Sequence, residues 1–246
     1  MQKTCIIIPC YNEEKRLPIE KFEQYFQQST DVDFCFVNDG SNDNTIKVLT
    51  SLKIAYPSKV HVLDLIKNGG KAEAIRQGML HVISLQRYKY LGFLDADLAT
   101  PLTEIQRLIE YIESNIKICV SFGSRVKLLG SQIERTARRH YLGRIFSTFA
   151  SIMLKMPIYD TQCGAKLFKI EIVQIAFSQP FITRWLFDIE IFARIRNHLG
   201  LEIAMKSMIE MPLNKWIEMG GSKLSLKHMI TVPLQLIKIK QRYRYE

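Results

Sequence analysis

The stretch Gly92-Phe-Leu-Asp-Ala-Asp-Leu-Ala-Thr-Pro101 decides how the rest of the chain is read, because two carboxylates, Asp95 and Asp97, stand at the end of an apolar run. Residues 90–94 read as a central strand of a parallel sheet, whose C-terminal end is where open α/β sheets place their ligand crevice. Pro101, Thr103 and Glu104 fit the start of the next helix. Two acids one residue apart converge if the backbone turns between them, and two hard oxygen donors suit a divalent cation, Mg²⁺ or Mn²⁺, of the kind that neutralises a diphosphate. Taken alone, the tripeptide is more often a turn with solvated carboxylates, so the remaining chain has to choose.

Working outward, the same alternation recurs on both sides. Residues 4–9 form a short β-branched run, 18–28 carry Ile19, Phe22 and Phe26 at helical spacing, and 33–38 form a second strand before a turn-rich string that opens a helix capped by Ser41 or Asn42. That helix runs to Tyr56-Pro57, a third strand spans Val60–Leu65, and Asn68-Gly-Gly-Lys71 leads into a helix with Ile75, Met79 and Val82 on one side. Strands alternating with helices predict right-handed crossovers and an α/β fold, a mostly parallel doubly wound sheet with helices on both faces. Every flagged loop follows a strand, so Tyr11, Asp39, Lys71, Asp95 and Asp97 share one edge. The two loop glycines let backbone approach a phosphate and Lys71 supplies a point charge, although a Gly-rich turn with an exposed lysine reads equally well; the Walker spacing is absent.

Beyond a fifth strand at 118–122, residues 131–155 mix arginine with apolar residues and predict an amphipathic helix or helix pair. Its Arg138 and Arg144 read as a solvated face. A polar loop from Asp160 runs into a short strand ending near Phe168, helices follow at 170–177 and 185–198, and 202–213 alternates as a late strand. Asp188 and Glu190 open a helix that is otherwise apolar, so they are either costly inward acids with a task or solvated first-turn residues.

A chain of 246 residues with 47% hydrophobic content can bury one large core, so a single catalytic domain is expected over 1–222, followed by a basic amphipathic tail over 223–246. The five cysteines form no CxxC pair and argue against both a disulfide framework and a zinc site. No charged leader and no apolar segment of about 20 residues is present in the sequence. The formal charge of +10 favours acidic partners, yet no nucleic-acid motif accompanies it, so no nucleic acid is expected. The tail mixes Leu224, Met229, Val232, Leu236 and Ile239 with lysines and arginines, either to dock on an anionic membrane or to pack against the domain with its cations solvated.

In order along the chain, Ile-Pro-Cys-Tyr-Asn-Glu-Glu14, Val-Asn-Asp-Gly-Ser41, Asn-Gly-Gly-Lys71, Asp95-Ala-Asp97-Leu-Ala-Thr-Pro101, Gly-Ser-Arg125, Asp160-Thr-Gln-Cys-Gly164, Phe187-Asp188-Ile-Glu190 and Gly221-Ser-Lys-Leu224 resemble the family-2 inverting glycosyltransferases with a GT-A fold, in particular their dolichyl-phosphate glucosyltransferase branch among polyprenyl-phosphate glycosyltransferases. The resemblance implies transfer of glucose from UDP-glucose to a polyprenyl phosphate on the cytoplasmic membrane face. Pro9, Tyr11, Glu13 and Asp39 would hold the nucleoside, and Lys71 would sit by the donor. Asp97 would ligate the metal directly, with Asp95 nearer the ribose and metal waters. Arg125, Arg135 and Arg139 would take the acceptor phosphate, and Asp160, Gln162 and Asp188 would border the sugar. Asn38 stands where an aspartate is usual and Gly69 where an arginine is common. Anchored members carry a membrane segment before the first strand, absent in this sequence, so attachment is expected to be peripheral.

A phosphate acceptor is already ionised near neutral pH, its second pKa being about 6, and needs little base catalysis. None of the five histidines lies in a flagged motif, which fits such an acceptor. Two alternatives stay open: a saccharide or lipid hydroxyl acceptor using Asp160 or Asp188 as base, and a catalytically silent nucleotide-sugar-binding protein, which Asn38 alone encourages.

Overall fold

Two runs without a polar face, Thr4–Cys10 and Val32–Asp39, become adjacent parallel strands, β1 and β2, buried along nearly their whole length. The reason is that successive side chains point to opposite faces and helices cover both. Ile6, Ile8, Phe34 and Phe36 enter one core with Phe22, Leu49 and Ile105, while Cys5, Ile7, Cys35 and Val37 enter the other with Ile75, Val173 and Ile189.

The computed structural model describes residues 3–28, 31–134, 136–218 and 226–243, with backbone alone at 137–140, 142 and 226–231. After β1 the chain runs α1 (Ile19–Gln28), β2, α2 (Thr45–Ala55), β3 (Val60–Leu65), α3 (Lys71–Ser84), β4 (Tyr90–Phe93), α4 (Glu104–Glu113), β5 (Val120–Ser124), β6 (Gln132–Glu134) and α5 (Ala137–Leu154). It continues with β7 (Lys166–Lys169), α6 (Ile170–Phe177), α7 (Phe187–Leu199), α8 (Leu201–Ser207), β8 (Met208–Pro212), β9 (Lys215–Ile217) and α9 (Leu226–Arg242).

Seven strands form one sheet in the order β3-β2-β1-β4-β7-β5-β8, and β6 and β9 make a separate two-stranded ribbon. The strands β1 to β4 are parallel, as the alternation predicted. The strand β7 slots antiparallel between β4 and β5, with Lys166 opposite both Phe93 and Phe122. It therefore starts at the edge where β4 and β5 end. The loop before β7 and the loops after β1, β2, β4 and β5 meet there, which turns residues distant in sequence into neighbours.

Three expectations need correction. The segment 202–213 is not one strand: Gly200, at φ 78°, resets the chain after α7, and the helix α8 precedes β8. Glu202 and Lys206 form an i,i+4 ion pair on its outer side, a helical spacing that the apparent alternation concealed. The helix α2 starts at Thr45, later than a Ser41 or Asn42 cap implies, because the Asp43 carboxylate accepts from the Thr45 amide at 3.0 Å and its hydroxyl at 2.5 Å. The segment 131–155 begins as the strand β6 rather than as helix, and of the helix or helix pair expected there a single helix forms.

The described part of the tail packs on the domain. Ile239 is fully buried, Val232, Leu236 and Tyr243 lie against the core, and Lys238, Lys240 and Arg242 face solvent. Residues 219–225, which include the whole of Gly221-Ser-Lys-Leu224 and the expected boundary at 222/223, lie outside the described residues. Among the described residues no helix is long and apolar enough to cross a membrane.

Candidate active site

The loops after β1 and β2 are stitched to each other. The Asn12 amide donates to Ser41 Oγ at 3.0 Å, the Asn42 amide to Asn12 Oδ1 at 2.9 Å, and the Glu13 amide to Thr45 Oγ1 at 2.8 Å. Asn12 sits at φ 54°, a left-handed conformation that this cross-loop bonding holds. Pro9 lies within β1, while Tyr11 and Glu13 are half-exposed at the rim.

Asp39, the last residue of β2, is buried and turns toward the next loop. Its two carboxylate oxygens accept the amides of Gly69 and Gly70, each at 2.8 Å. Burial raises its pKa, and those amides work against the rise. The glycine loop is thereby tied to Asp39, so these two N–H groups are not the phosphate cradle that Asn68-Gly-Gly-Lys71 suggested. Asn38 donates from Nδ2 to Asp64 Oδ1 at 2.7 Å across the β2–β3 pair, where a carboxylate would face a carboxylate. That departure has a structural task and lends nothing to a silent protein.

Lys71, the first residue of α3, forms an ion pair with Asp95 and lies 5.9 Å from the centre of the Phe187 ring. Burial opposes its charge, but Asp95 and then Asp188 raise its pKa. Asp188 is inward and buried, resolving the two readings of that acid. It accepts from Lys166 Nζ at 2.6 Å, and Lys166, itself fully buried, also donates to the Cys163 carbonyl at 2.6 Å. Burial raises the Asp188 pKa while Lys166 and Lys71 pull it down. Charges thus alternate along Lys166, Asp188, Lys71 and Asp95. At the outer end Asp97 is exposed and, among the described residues, forms no ion pair; one oxygen accepts the Ala99 amide at 3.0 Å. The turn between the two acids holds Leu98 at φ 51°.

This pair fits a divalent cation. A Cβ at Gly164 would fall 2.2–2.9 Å from the Asp95 carboxylate, so glycine there keeps that carboxylate's space clear. No group of three or more His, Cys, Asp or Glu gathers among the described residues. Two carboxylates without a third are what a cation needs when water and substrate phosphates supply its remaining ligands.

Arg125 and Asp160 do not stand ready as expected. Arg125 Nε and Nη2 donate to Asp160 at 2.6 and 2.8 Å, the Arg125 amide donates to it at 3.1 Å, and the guanidinium lies over Trp216, 5.4 Å from its ring centre. Burial pushes Asp160 up, yet Arg125 more than offsets it and holds the carboxyl at about 2. Asp160 is therefore no general base near neutral pH, and Arg125 is committed to it. Gln162 beside them has a buried Nε2 without a hydrogen-bond partner among the described residues. Arg135, and the side chains of Arg138 and Arg139, lie outside the described residues. Arg144 is half-buried, and its guanidinium stacks 3.7 Å from the centre of the Tyr159 ring.

Residues missed in the sequence support this frame. Glu210 on β8 accepts the amides of Tyr159 and Asp160 at 2.8 and 2.7 Å, fixing the loop that carries Asp160. Arg194, also missed, pairs at 2.8 Å inside α7 with Glu190, which is inward like Asp188 as one of its two readings had it, and Tyr243 of α9 donates to Glu190 at 2.9 Å. A lysine or glutamate inside an apolar strand, as in Ala-Lys166-Leu-Phe or Met-Ile-Glu210-Met, was the available signal.

The profile of Glycosyl transferase family 2 matches residues 5–175. A dolichyl-phosphate beta-glucosyltransferase of Trichomonas vaginalis is 33% identical over 253 residues, 98% of this chain and 72% of that protein. Those of Homo sapiens and Saccharomyces cerevisiae are 35% identical over 236 residues (89% and 68%) and 30% identical over 262 residues (97% and 74%). In fold, the chain is similar to glucosyl-3-phosphoglycerate synthase of Mycobacterium tuberculosis in complex with Mn²⁺, UDP and glucosyl-3-phosphoglycerate, with a TM-score of 0.68 at 16% identity over 98% of this chain and 80% of that one.

Proposed function

The chain belongs to glycosyltransferase family 2, and from that premise we propose that it is an inverting hexosyltransferase moving glucose from UDP-glucose to a dolichyl-type polyprenyl phosphate. The observation that carries this reading is the run of alternating charges that ends at the open carboxylate Asp97.

Asp97 and Asp95 would hold Mg²⁺ or Mn²⁺, which when bound supplies electrostatic stabilisation for the leaving diphosphate. Lys71, steadied by Asp188, adds positive charge at the same edge. Tyr11, Glu13, Pro9 and Asp39 border the nucleoside from the stitched loops. Gln162, whose buried Nε2 has no hydrogen-bond partner among the described residues, would donate to a sugar hydroxyl, and Asp160 and Asp188 would shape that wall through their cationic partners. With Asp160 held at about 2, a hydroxyl acceptor finds no base there, whereas a phosphate acceptor needs none. Arg135 and Arg139 remain the proposed acceptor-phosphate residues, with Arg125 acting through Asp160.

The acceptor is a bilayer lipid, and on the outer side of α5 the side chains of Tyr141, Ile145, Phe149 and Ile152 are 69%, 56%, 61% and 68% exposed at helical spacing. We propose that this stripe, rather than the helix Leu226–Arg242 of the tail, makes a peripheral contact with an anionic membrane at its cytoplasmic face. Transfer of radiolabelled sugar from a panel of nucleotide sugars into organic-extractable polyprenyl phosphate tests the activity; absence of transfer with every donor would end the reading. Phe149→Glu should lose flotation with anionic vesicles, and unchanged flotation would move the contact elsewhere.

A further inference from the structure

The segment between α6 and α7, residues 178–186, is pinned from below by buried charges. Arg194 donates to the carbonyls of Ala176, Gln179 and Pro180 at 2.7–2.8 Å, Glu190 accepts the Ile182 amide at 2.8 Å, and the Leu186 amide donates to Thr183 Oγ1 at 3.1 Å. The segment carries Arg184 across the start of α3. Arg184 Cδ lies 3.9 Å from where a Cβ on Gly70 would stand, and the Arg184 charge acts on Asp39, whose carboxylate holds the Gly70 amide. Among the described residues Arg184 has neither a hydrogen bond nor an ion pair, and it is exposed to the crevice edge where Lys71 begins α3.

Charge balance gives that arginine a task. At this edge Asp39, Asp95, Asp97 and Asp188 are opposed by Lys71 and Lys166, and Arg125 cancels Asp160. Two carboxylate charges are left over, enough for one divalent cation and nothing more. An entering diphosphate brings further negative charge, Lys71 is already paired with Asp95, the Gly69 and Gly70 amides are taken by Asp39, and the glycines bring no side chain. Among the described residues Lys67 is unpaired too, on the exposed loop itself, whereas Arg184 is an unpaired cation set across the Gly70 side of the loop on a segment rigid enough to hold it there without a partner. Guanidinium groups suit phosphate oxygens because their planar fork matches two acceptors.

We propose that Arg184 is a donor-binding residue whose guanidinium takes the distal phosphate of the nucleoside diphosphate. It rests on the nucleotide-sugar reading above, and it gives Glu190 and Arg194 a role as positioning residues for the segment that carries it.

The test compares two nucleotides differing by one phosphate. Calorimetric titration of the full chain with UDP and with UMP, in Mg²⁺, is run on wild type, Arg184→Ala and Arg184→Lys. The alanine variant should weaken UDP binding roughly tenfold or more, as expected for loss of a hydrogen bond to a charged group. UMP should change less than twofold, lysine should restore part of the loss, and KM should rise for the nucleotide sugar but not for the acceptor. Because the side chain is exposed, the melting temperature should not move. Unchanged UDP binding, or equal weakening of UDP and UMP, would overturn the assignment. If wild type prefers another base, the same diphosphate and monophosphate pair is used; if it binds no nucleoside diphosphate at all, the donor reading itself falls and takes this inference with it.

Discussion

The two halves of the sheet treat charge in opposite ways. In the first, from β1 to β4, the candidate site residues other than the buried Asp39 sit on open loops: Tyr11 and Glu13 are half-exposed, Asp97 is exposed, and Lys71 and Asp95 keep roughly a third or more of their side chains in water, although Asp33 on β2 is a buried, paired exception. In the second, from β5 onward, charges are sunk and paired, Arg125 with Asp160, Lys166 with Asp188 and Arg194 with Glu190. A buried pair gains little over an apolar pair of the same shape, but losing one partner is expensive. The first half is therefore available to substrates, and the second is a brace that keeps its geometry when they come and go.

The largest expected effect breaks the brace. Lys166→Met leaves Asp188 buried without its partner and should cost about 3–5 kcal/mol, a fall on the order of 10 °C in melting temperature for a chain of this size. The double change Lys166→Met with Asp188→Leu should recover much of it in calorimetry. A single variant that melts like wild type would show that the pair is not structural.

Asp97→Asn tests the open half. Turnover should fall on the order of 10²–10³-fold while stability stays within about 0.5 kcal/mol, since the side chain is exposed. Chelation should act in the same direction on wild type. Normal rates in either case would remove the metal role from Asp97, and a large loss of stability would place that residue in the brace.

The smallest effect sharpens the contrast through acid. The Asp160 carboxyl is held at about 2 in the folded protein, against about 3.9 for a free aspartate. Its folded pKa is depressed, so its contribution, about 2–3 kcal/mol, is fully present above pH 4 and is lost as the pH falls toward 2. Urea unfolding across that window should show Asp160→Asn with a shallower dependence than wild type. Identical slopes would mean that Arg125 does not hold the carboxylate in this way.

The open half was the more legible in the sequence. Strands β1 to β4 follow from apolar runs closed by turn residues, and Asp39, Lys71, Asp95 and Asp97 follow from lying at their ends. The paired half was not, because periodicity says that Asp188 points inward or outward but never names its partner. Lys166 is separated from Asp188 by the whole of α6 and the segment after it, and Arg125 was expected at the acceptor phosphate from the family resemblance alone, since nothing local in the sequence signals its distant partner Asp160. Arg184 gave no sign either: its place beside Gly70 depends on Glu190 and Arg194, not on any local pattern.

The antiparallel insertion of β7 also orders events in time. The strands β1, β2 and β3 pair across single crossovers, whereas β4 reaches back to β1, Tyr90 against Thr4, and has no partner on its other side until the chain from Lys166 to Lys169 has been made and has returned. Pairings between sequence-distant segments form slowly, because the intervening chain must first give up its freedom. During synthesis the stitched loops after β1 and β2 can therefore take shape before the loop that carries Asp160 and Gln162 exists. In a refolding experiment the backbone signal of β1 to β3 should return first, and donor binding and sugar transfer should both wait for the pairings of β4 and β7, which span comparable lengths of chain.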